Sequence, residues 1–367
     1  MRFTINRDSL VSPLQLVCGA VERRQTLPIL SNVLLVLEGT TLSLTATDLE
    51  VELIAKVELA EAAEGGEITV PARKFLDICK SLPSQDIEFI LNNQKVTIKC
   101  GSNKFTLVTL PASEFPAVDE TVGTHELTLQ QSMLKGMMDQ TAFAMAQQDV
   151  RYYLNGMLFE ITDKKLKAVA TDGHRLALCD LETDFSPVSK TEAIIPRKGI
   201  QELMRLLGND ENDVKVTLGT NHLRVVTNVF TFTSKLIDGK FPEYDRVLPK
   251  NGDRVLIIDR ETLKDSFSRA SILCNEKYRG VKMNLSENLL SIHANNPEQE
   301  EAEIDLGVDF QGEDLEIGFN VTYLLDVLNT MKCEKVKWTL GDSNSSALIE
   351  DAADDGNSVY VVMPMRL

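Results

Sequence analysis

Two aspartate-containing stretches lie a fixed distance apart in this chain. "LTATDLEVEL" (44–53) and "VATDGHRLAL" (169–178) place Asp48 and Asp172 124 residues apart, and "IHANNPEQEE" (292–301) places Asn296 a further 124 residues on. Recurrence at constant interval implies duplicated structural units, so each copy must build the same supersecondary unit and bury its face against its neighbours. Other segments keep the interval. "VPARKFLDICKSL" begins at Val70, "IPRKGIQELMRLL" at Ile195 and "FNVTYLLDVLNTM" at Phe319, which are 125 and 124 residues apart. A second helical family, "INRDSLVSPLQLV", "LTLQQSMLKGMMD" and "IDRETLKDSFSRA", begins near residues 5, 127 and 258. The chain divides into three domains, 1–123, 124–248 and 249–367.

The length of 367 residues suits three domains of ordinary size better than one core. With 43% apolar and 25% charged residues the composition is that of a globular protein. The N-terminus lacks an apolar signal region, and no stretch approaches the roughly 18 apolar residues of a membrane span. These features predict a cytoplasmic protein with no membrane partner. Cysteines at 18, 79, 100, 179, 274 and 333 stand singly, without CxxC or a Cys/His ligand spacing, and read as free buried thiols; no metal or cofactor is implied. The net charge of -17 argues against tight wrapping of nucleic acid. It is uneven: the three thirds carry -5, -2 and -10.

Within one repeat, Leu10, Leu14, Val17 and Val21 share a helical face. The alternation of Leu42, Leu44 and Ala46, then Val51, Leu53, Ala55 and Val57, predicts antiparallel strands that turn near Asp48. A second helix follows Pro71, with Phe75, Leu76, Cys79 and Leu82 inward and Arg73, Asp77 and Lys80 outward, and then two or three more strands. Each third is therefore helix plus strands, twice over: an α+β domain of two half-units, two helices packed on antiparallel sheets. Six half-units per chain invite closure into a ring with a second copy. In the equivalent helix of the second domain, Ile200, Leu203, Met204 and Leu207 form the apolar stripe, opposite Lys198, Gln201 and Arg205. Segment 258–271 adds Arg260 and Lys264, whereas "VTYLLDVLNTMK" carries Asp326 and only Lys332. A symmetric array would gather these basic faces onto one surface.

The segments "TLPILSN", "DVRYYLNGMLFE", "ATDGHRLA", "FTSKLIDGKFPEYDRVLPKN", "NEKYRGVK", "GFNVTYLLDVL" and "YVVMPMRL" resemble, in order along the whole chain, the bacterial sliding clamp, the beta subunit of the replicative DNA polymerase. The resemblance implies three similar DNA-clamp domains that form half of a closed head-to-tail dimeric ring, with helices lining the hole and sheets outside. Duplex DNA would thread the hole, with Arg24, Arg73, Gln148, Arg151, Tyr152, Tyr153, Lys198 and Arg205 facing it. Contacts to phosphate alone position without specifying sequence, and a few of them stay weak and salt-sensitive.

The resemblance also implies a pocket, between the second and third domains, for a short linear motif of polymerases, the clamp loader and repair proteins. Its matching positions are Leu154, Thr171, Gly173, His174, Arg175 and Leu176; then Pro242, Arg246, Val247 and Ser346; then Val361, Val362, Met363, Pro364, Met365 and Arg366. An apolar terminus with two methionines suits several ligands, and Asn344 stands where a more apolar residue is expected. At the dimer seam, the resemblance places acidic Glu298, Glu300, Glu301 and Glu303 opposite Lys74, Lys95 and Lys104, with Phe105, Leu107, Ile272 and Leu273 as its apolar packing.

Two other readings compete. Asp172 and His174 could be an acid/base pair of a hydrolase, although no GxSxG, phosphate loop, HExxH or paired-carboxylate motif accompanies them and the "TDLE" and "NNPE" segments lack the histidine. The same pocket could instead serve a DNA-independent protein scaffold.

Overall fold

A computed structural model describes the chain except for residues 22–26, 117–122, 163, 183–189, 251, 354–355 and 367. The order strand, helix, four strands, helix, three strands occurs three times. The first copy is β1 (Arg2–Asn6), α1 (Arg7–Val17), β2 (Asn32–Glu38), β3 (Thr41–Thr47), β4 (Val51–Glu58), β5 (Gly66–Pro71), α2 (Ala72–Ser81), β6 (Asp86–Asn92), β7 (Lys95–Cys100) and β8 (Asn103–Val108). The second is β9 (Gly123–Gln130), α3 (Gln131–Thr141), β10 (Gly156–Ile161), β11 (Lys165–Thr171), β12 (Arg175–Glu182), β13 (Thr191–Pro196), α4 (Arg197–Leu206), β14 (Asp213–Gly219), β15 (His222–Val226) and β16 (Phe230–Lys235). The third is β17 (Arg254–Asp259), α5 (Arg260–Ala270), β18 (Gly280–Ser286), β19 (Leu289–Asn295), β20 (Glu301–Gly307), β21 (Leu315–Asn320), α6 (Val321–Thr330), β22 (Lys335–Leu340), β23 (Ala347–Asp351) and β24 (Ser358–Val362).

Each helix leaves its strand without a loop, and at α1, α5 and α6 the strand's last residue caps it. Asn6, Asp259 and Asn320 accept a backbone N–H from Asp8, Thr262 and Thr322 respectively, satisfying a donor that the first turn would otherwise leave unpaired. Before α2 the last strand residue is Pro71, which fixes φ at the helix entry but offers no side-chain cap. The expected apolar faces are buried: Leu10, Leu14 and Val17 on α1; Phe75, Leu76 and Cys79 on α2; Ile200 and Leu203 on α4. Val57 and Met204 are half-buried.

Tertiary pairing divides the chain differently from the sequence repeat. The compact units are residues 1–132 with 198–236, and 133–197 with 237–367. In the first, an eight-stranded antiparallel sheet runs β5-β2-β3-β4-β16-β15-β14-β9, beside a four-stranded sheet β1-β6-β7-β8. In the second, an eight-stranded sheet runs β13-β10-β11-β12-β24-β23-β22-β17, beside a four-stranded sheet β20-β19-β18-β21. Each long sheet thus joins half of one repeat to half of the next, through β4 with β16 and through β12 with β24.

One device recurs at the helix pairs. The first residue of the earlier helix satisfies the end of the later one: Arg7 donates to Cys79 O and Lys80 O, Arg260 donates to Leu328 O and Cys333 O, and Gln131 accepts from Gly208 N–H. Arg260, expected on a basic outer face, is therefore turned inward by the carbonyls that α6 leaves unpaired at its end. Arg260→Ala should destabilise the protein by about 2 kcal/mol, because two carbonyls lose a charged donor. Urea unfolding measures this, and a variant as stable as the parent would contradict it.

Candidate functional site

The aspartate turns that set the repeat are structural. Thr171 Oγ1 donates to Arg175 O at 2.6 Å and accepts from Gly173 N–H, while Asp172 Oδ1 accepts from His174 N–H and Arg175 N–H at 2.9 and 3.0 Å. The first copy repeats this: Thr47 Oγ1 donates to Val51 O, and Asp48 Oδ1 accepts from Glu50 N–H and Val51 N–H. Asp172 Oδ2 accepts from Arg175 Nε at 3.1 Å, so both carboxylate oxygens are committed. His174 turns its ring onto Tyr323, with centroids 6.4 Å apart. Asp172 and His174 are thus parts of a turn, and the geometry of an acid/base pair is missing from them.

The residue after the aspartate takes a left-handed conformation in both copies, Leu49 at φ 77° and Gly173 at φ 89°. A Cβ on Gly173 would lie 3.0 Å from the guanidinium of Arg151. Glycine relieves left-handed strain there and leaves room for the Arg151 guanidinium, whereas Leu49 carries that strain in the first copy. Arg151 is itself fixed by Asp149, whose carboxyl is held down to about 2 by the hydrogen bonds it accepts from the Arg151 guanidinium and backbone N–H.

Beside this turn opens an apolar cavity of about 280 Å³. Leu154, Thr171, Gly173, Arg175, Leu176, Pro242, Val247, Val361 and Met363, all assigned to a pocket from sequence, line it together with Arg151, Tyr153 and Tyr244. Its floor is a buried cluster on the outer face of the second long sheet, including Leu158, Val169, Leu176, Leu178, Ile194, Phe241, Tyr244 and Val361, with Leu348 packed against it. Tyr244 donates from its hydroxyl to the buried carboxylate of Glu160 at 3.0 Å, and Lys190 neutralises the same carboxylate at 2.9 Å. Burial and the Glu160 charge push the Tyr244 phenol well above its ordinary range, so it remains a donor.

Arg175 ties the turn to its surroundings. Nη1 meets Asp326 on α6 at 2.5 Å, Nη2 donates to Phe143 O at 2.9 Å, and the guanidinium lies 5.2 Å from the Phe143 ring and 4.5 Å from the Tyr323 ring. The C-terminal tail crosses the same region, with Met363 N–H donating to His174 O and Met365 N–H to Gly318 O.

The remaining assigned residues fall elsewhere. His174, Arg246, Ser346, Val362, Pro364, Met365 and Arg366 are not in the cavity lining; Val362 is buried in its strand, and Arg246 is exposed beside Glu243. Tyr244 and Tyr323 were not anticipated, although "FPEYDRVLP" had been singled out as a segment. Arg151 and Tyr153, expected to face DNA, stand in the cavity wall, and Tyr152 is 58% exposed.

Arg24 lies outside the described residues. Arg73 is exposed and donates to Val21 O, Lys198 meets Asp48, Arg205 pairs with Glu202 and donates to Leu16 O, and Gln148 is at φ 57°. Lys74, Lys95, Lys104, Glu298, Glu300, Glu301 and Glu303 are all exposed. Ile272 is 76% exposed, Phe105 and Leu273 are half-buried, and Leu107 is buried.

Comparison with known proteins accounts for the whole chain. Family models of the DNA polymerase III beta subunit match in order: its N-terminal domain at residues 1–119, its central domain at 128–243 and its C-terminal domain at 245–366. The chain is 58% identical to a beta sliding clamp of Pseudomonas putida, covering 100% of both chains. It superposes on a crystal structure of the DNA polymerase III subunit beta from Pseudomonas aeruginosa with a TM-score of 0.98, at 58% identity and 100% coverage of both. A sliding clamp from the same organism bound to griselimycin matches with a TM-score of 0.97, again at 58% identity and 100% coverage of both.

The two equivalent turns should respond oppositely to substitution. Gly173→Ala should destabilise by about 1–2 kcal/mol through left-handed strain and crowding of Arg151, whereas Leu49→Gly should be neutral or stabilising by up to about 1 kcal/mol. Paired thermal unfolding decides, and a harmless Gly173→Ala would remove Arg151 from the account.

Proposed function

The chain belongs to the DNA polymerase III beta subunit family, the sliding clamps, and from that premise we propose how its own residues do the work. It is a non-catalytic processivity factor that encircles duplex DNA and tethers the polymerase. The observation that carries the residue-level reading is the strand arithmetic. β4 and β12 end the first half-units of domains 1 and 2, and each pairs with the strand that ends the second half-unit of the next domain, β16 or β24. β20 and β8 hold the same places in domains 3 and 1, and both lie at open sheet edges. Pairing β20 of one copy with β8 of another makes a third eight-stranded sheet, and doing so twice closes a two-chain ring.

Burial supports this. Leu53 and Ala55 on β4 and Ala177 and Cys179 on β12 are at most 1% exposed, but Ala302 and Ile304 on β20 are only half-buried. Phe105 on β8 is half-buried as well, whereas its counterparts Phe232 and Tyr360 are at most 1% exposed. An edge strand with an uncovered apolar row invites pairing.

The internal junctions also specify the register. Phe232 lies opposite Leu53, and Tyr360 opposite Ala177. Phe105 pairs with Ile98 as Phe232 pairs with Val225, and Ala302 pairs with Ala294 as Ala177 pairs with Ala170. Phe105 therefore faces Ala302 of the second copy, which sets Lys104 against Glu303 and Thr106 against Glu301. The glutamates and lysines orient head against tail, while Phe105, Leu107, Ile272 and Leu273 supply the apolar packing.

Arg73, Lys198, Arg205, Gln148 and Tyr152 face the DNA in this reading. Ion pairing of Lys198 with Asp48 and of Arg205 with Glu202 leaves them weakly adhesive, as suits a ring that must move along its track. The cavity beside Thr171–Leu176 takes the linear motif of polymerase, clamp loader and repair proteins, and we assign to the same place the griselimycin that the related Pseudomonas aeruginosa clamp binds. Five buried free thiols among the described residues suit a reducing compartment, and we place the protein in the cytoplasm.

Nicked circular DNA should retain the loaded protein while linear DNA loses it; equal retention on both would contradict encirclement. For the register, Lys104→Glu and Glu303→Lys should each weaken dimerisation by about tenfold, because like charges then stand directly opposite at both seams. The double variant should recover. Sedimentation at low concentration reads this, and a double variant weaker than either single one would discard the register.

A further inference from the structure

The repeat that builds the strands beside the apolar cavity builds the same strand pairing in the first long sheet, with different side chains. The registers identify the equivalent positions. Leu176 faces Val361, which faces Leu348; in the first long sheet Glu52 faces Thr233, which faces Arg224. Val169 and Ile194, which pair with or flank Leu158, correspond to Thr45 and Thr69 around Leu34. The aliphatic floor of the cavity is thus replaced by Glu52, Thr45, Thr69, Thr233 and Arg224. Within this set Thr69 is satisfied internally: its Oγ1 accepts from Asn32 Nδ2 and donates to Leu110 O at 2.9 Å each. Burial drives the Glu52 carboxyl up to about 7, and nearby Arg224 opposes that shift.

We infer that Glu52, with Thr233 and Arg224, is the determinant that limits this chain to one apolar linear motif. The inference rests on the reading of the Leu176 cavity as the motif site. An apolar anchor docked at the first junction would have to strip water from a carboxylate and a guanidinium without returning hydrogen bonds, which costs more than burying a leucine or phenylalanine side chain yields. Duplication alone would repeat the apolar strand face in both long sheets, and the side-chain chemistry of one of them closes it to apolar ligands.

Calorimetry with griselimycin as the probe tests this on the full chain. The parent should bind one molecule per chain and lose it on deletion of residues 363–367; failure of that control would sink the motif-site reading itself. Glu52→Leu/Arg224→Leu/Thr233→Val should bind a second molecule per chain, weaker than the first. A folded triple variant that stays at one per chain at saturating ligand overturns the inference. Should the triple variant not fold, the reverse graft decides: Leu176→Glu/Leu348→Arg/Val361→Thr, with the side chains that the first junction tolerates, should lower affinity at least about a hundredfold, and retained binding overturns the inference.

Discussion

Main-chain hydrogen bonding between β4 and β16, and again between β12 and β24, is the constraint on which everything else depends. Without this joining, β4, β16, β12 and β24 would each be an edge strand with unpaired main-chain groups, and in water such an edge is a template for another strand. Pairing the last strand of one half-unit with the last strand of another resolves two edges at once and buries the apolar rows beneath them. The register is fixed because a slip of one residue would carry Leu53 and Phe232 to the outer face of the sheet. The same rule applied to β8 and β20 underlies the proposed pairing with a second chain, in which oligomeric closure and domain joining would be one physical operation.

Duplication supplied the scaffold, and local chemistry gave each copy its task. Thr47-Asp48 and Thr171-Asp172 make the same turn with the same hydrogen bonds. Around them one copy holds Glu52 and Arg224, and the other holds Leu176 and Leu348. A strand ladder whose main-chain hydrogen bonds are the same in both sheets accommodates either set of side chains.

In the proposed reading, weak adhesion to DNA follows from how the basic groups are used. Arg7 and Arg260 spend their donors on helix ends, Arg175 is held by Asp172, Asp326 and Phe143 O, and Lys198 and Arg205 are paired with carboxylates. A protein of net charge -17 that neutralises its own cations cannot grip a polyanion strongly. Retention by encirclement needs no such grip.

The sequence by itself determined the repeat, its period, the element order and the buried faces, because periodicity and spacing are properties of the chain alone. Ala46, Ala170 and Ala294 sit 124 residues apart, and so do the helix starts at Arg197 and Val321. It also marked the cavity wall, since the residues lining it lie in a few contiguous segments that carry the family resemblance. Only tertiary structure decided the rest: that Arg260 turns inward to cap α6, that Arg151 and Tyr153 stand in the cavity wall, that Tyr244 reaches Glu160, and that His174 stacks on Tyr323 instead of meeting Asp172. Each depends on where a long side chain finds a partner from another part of the chain, and no period in the sequence encodes that.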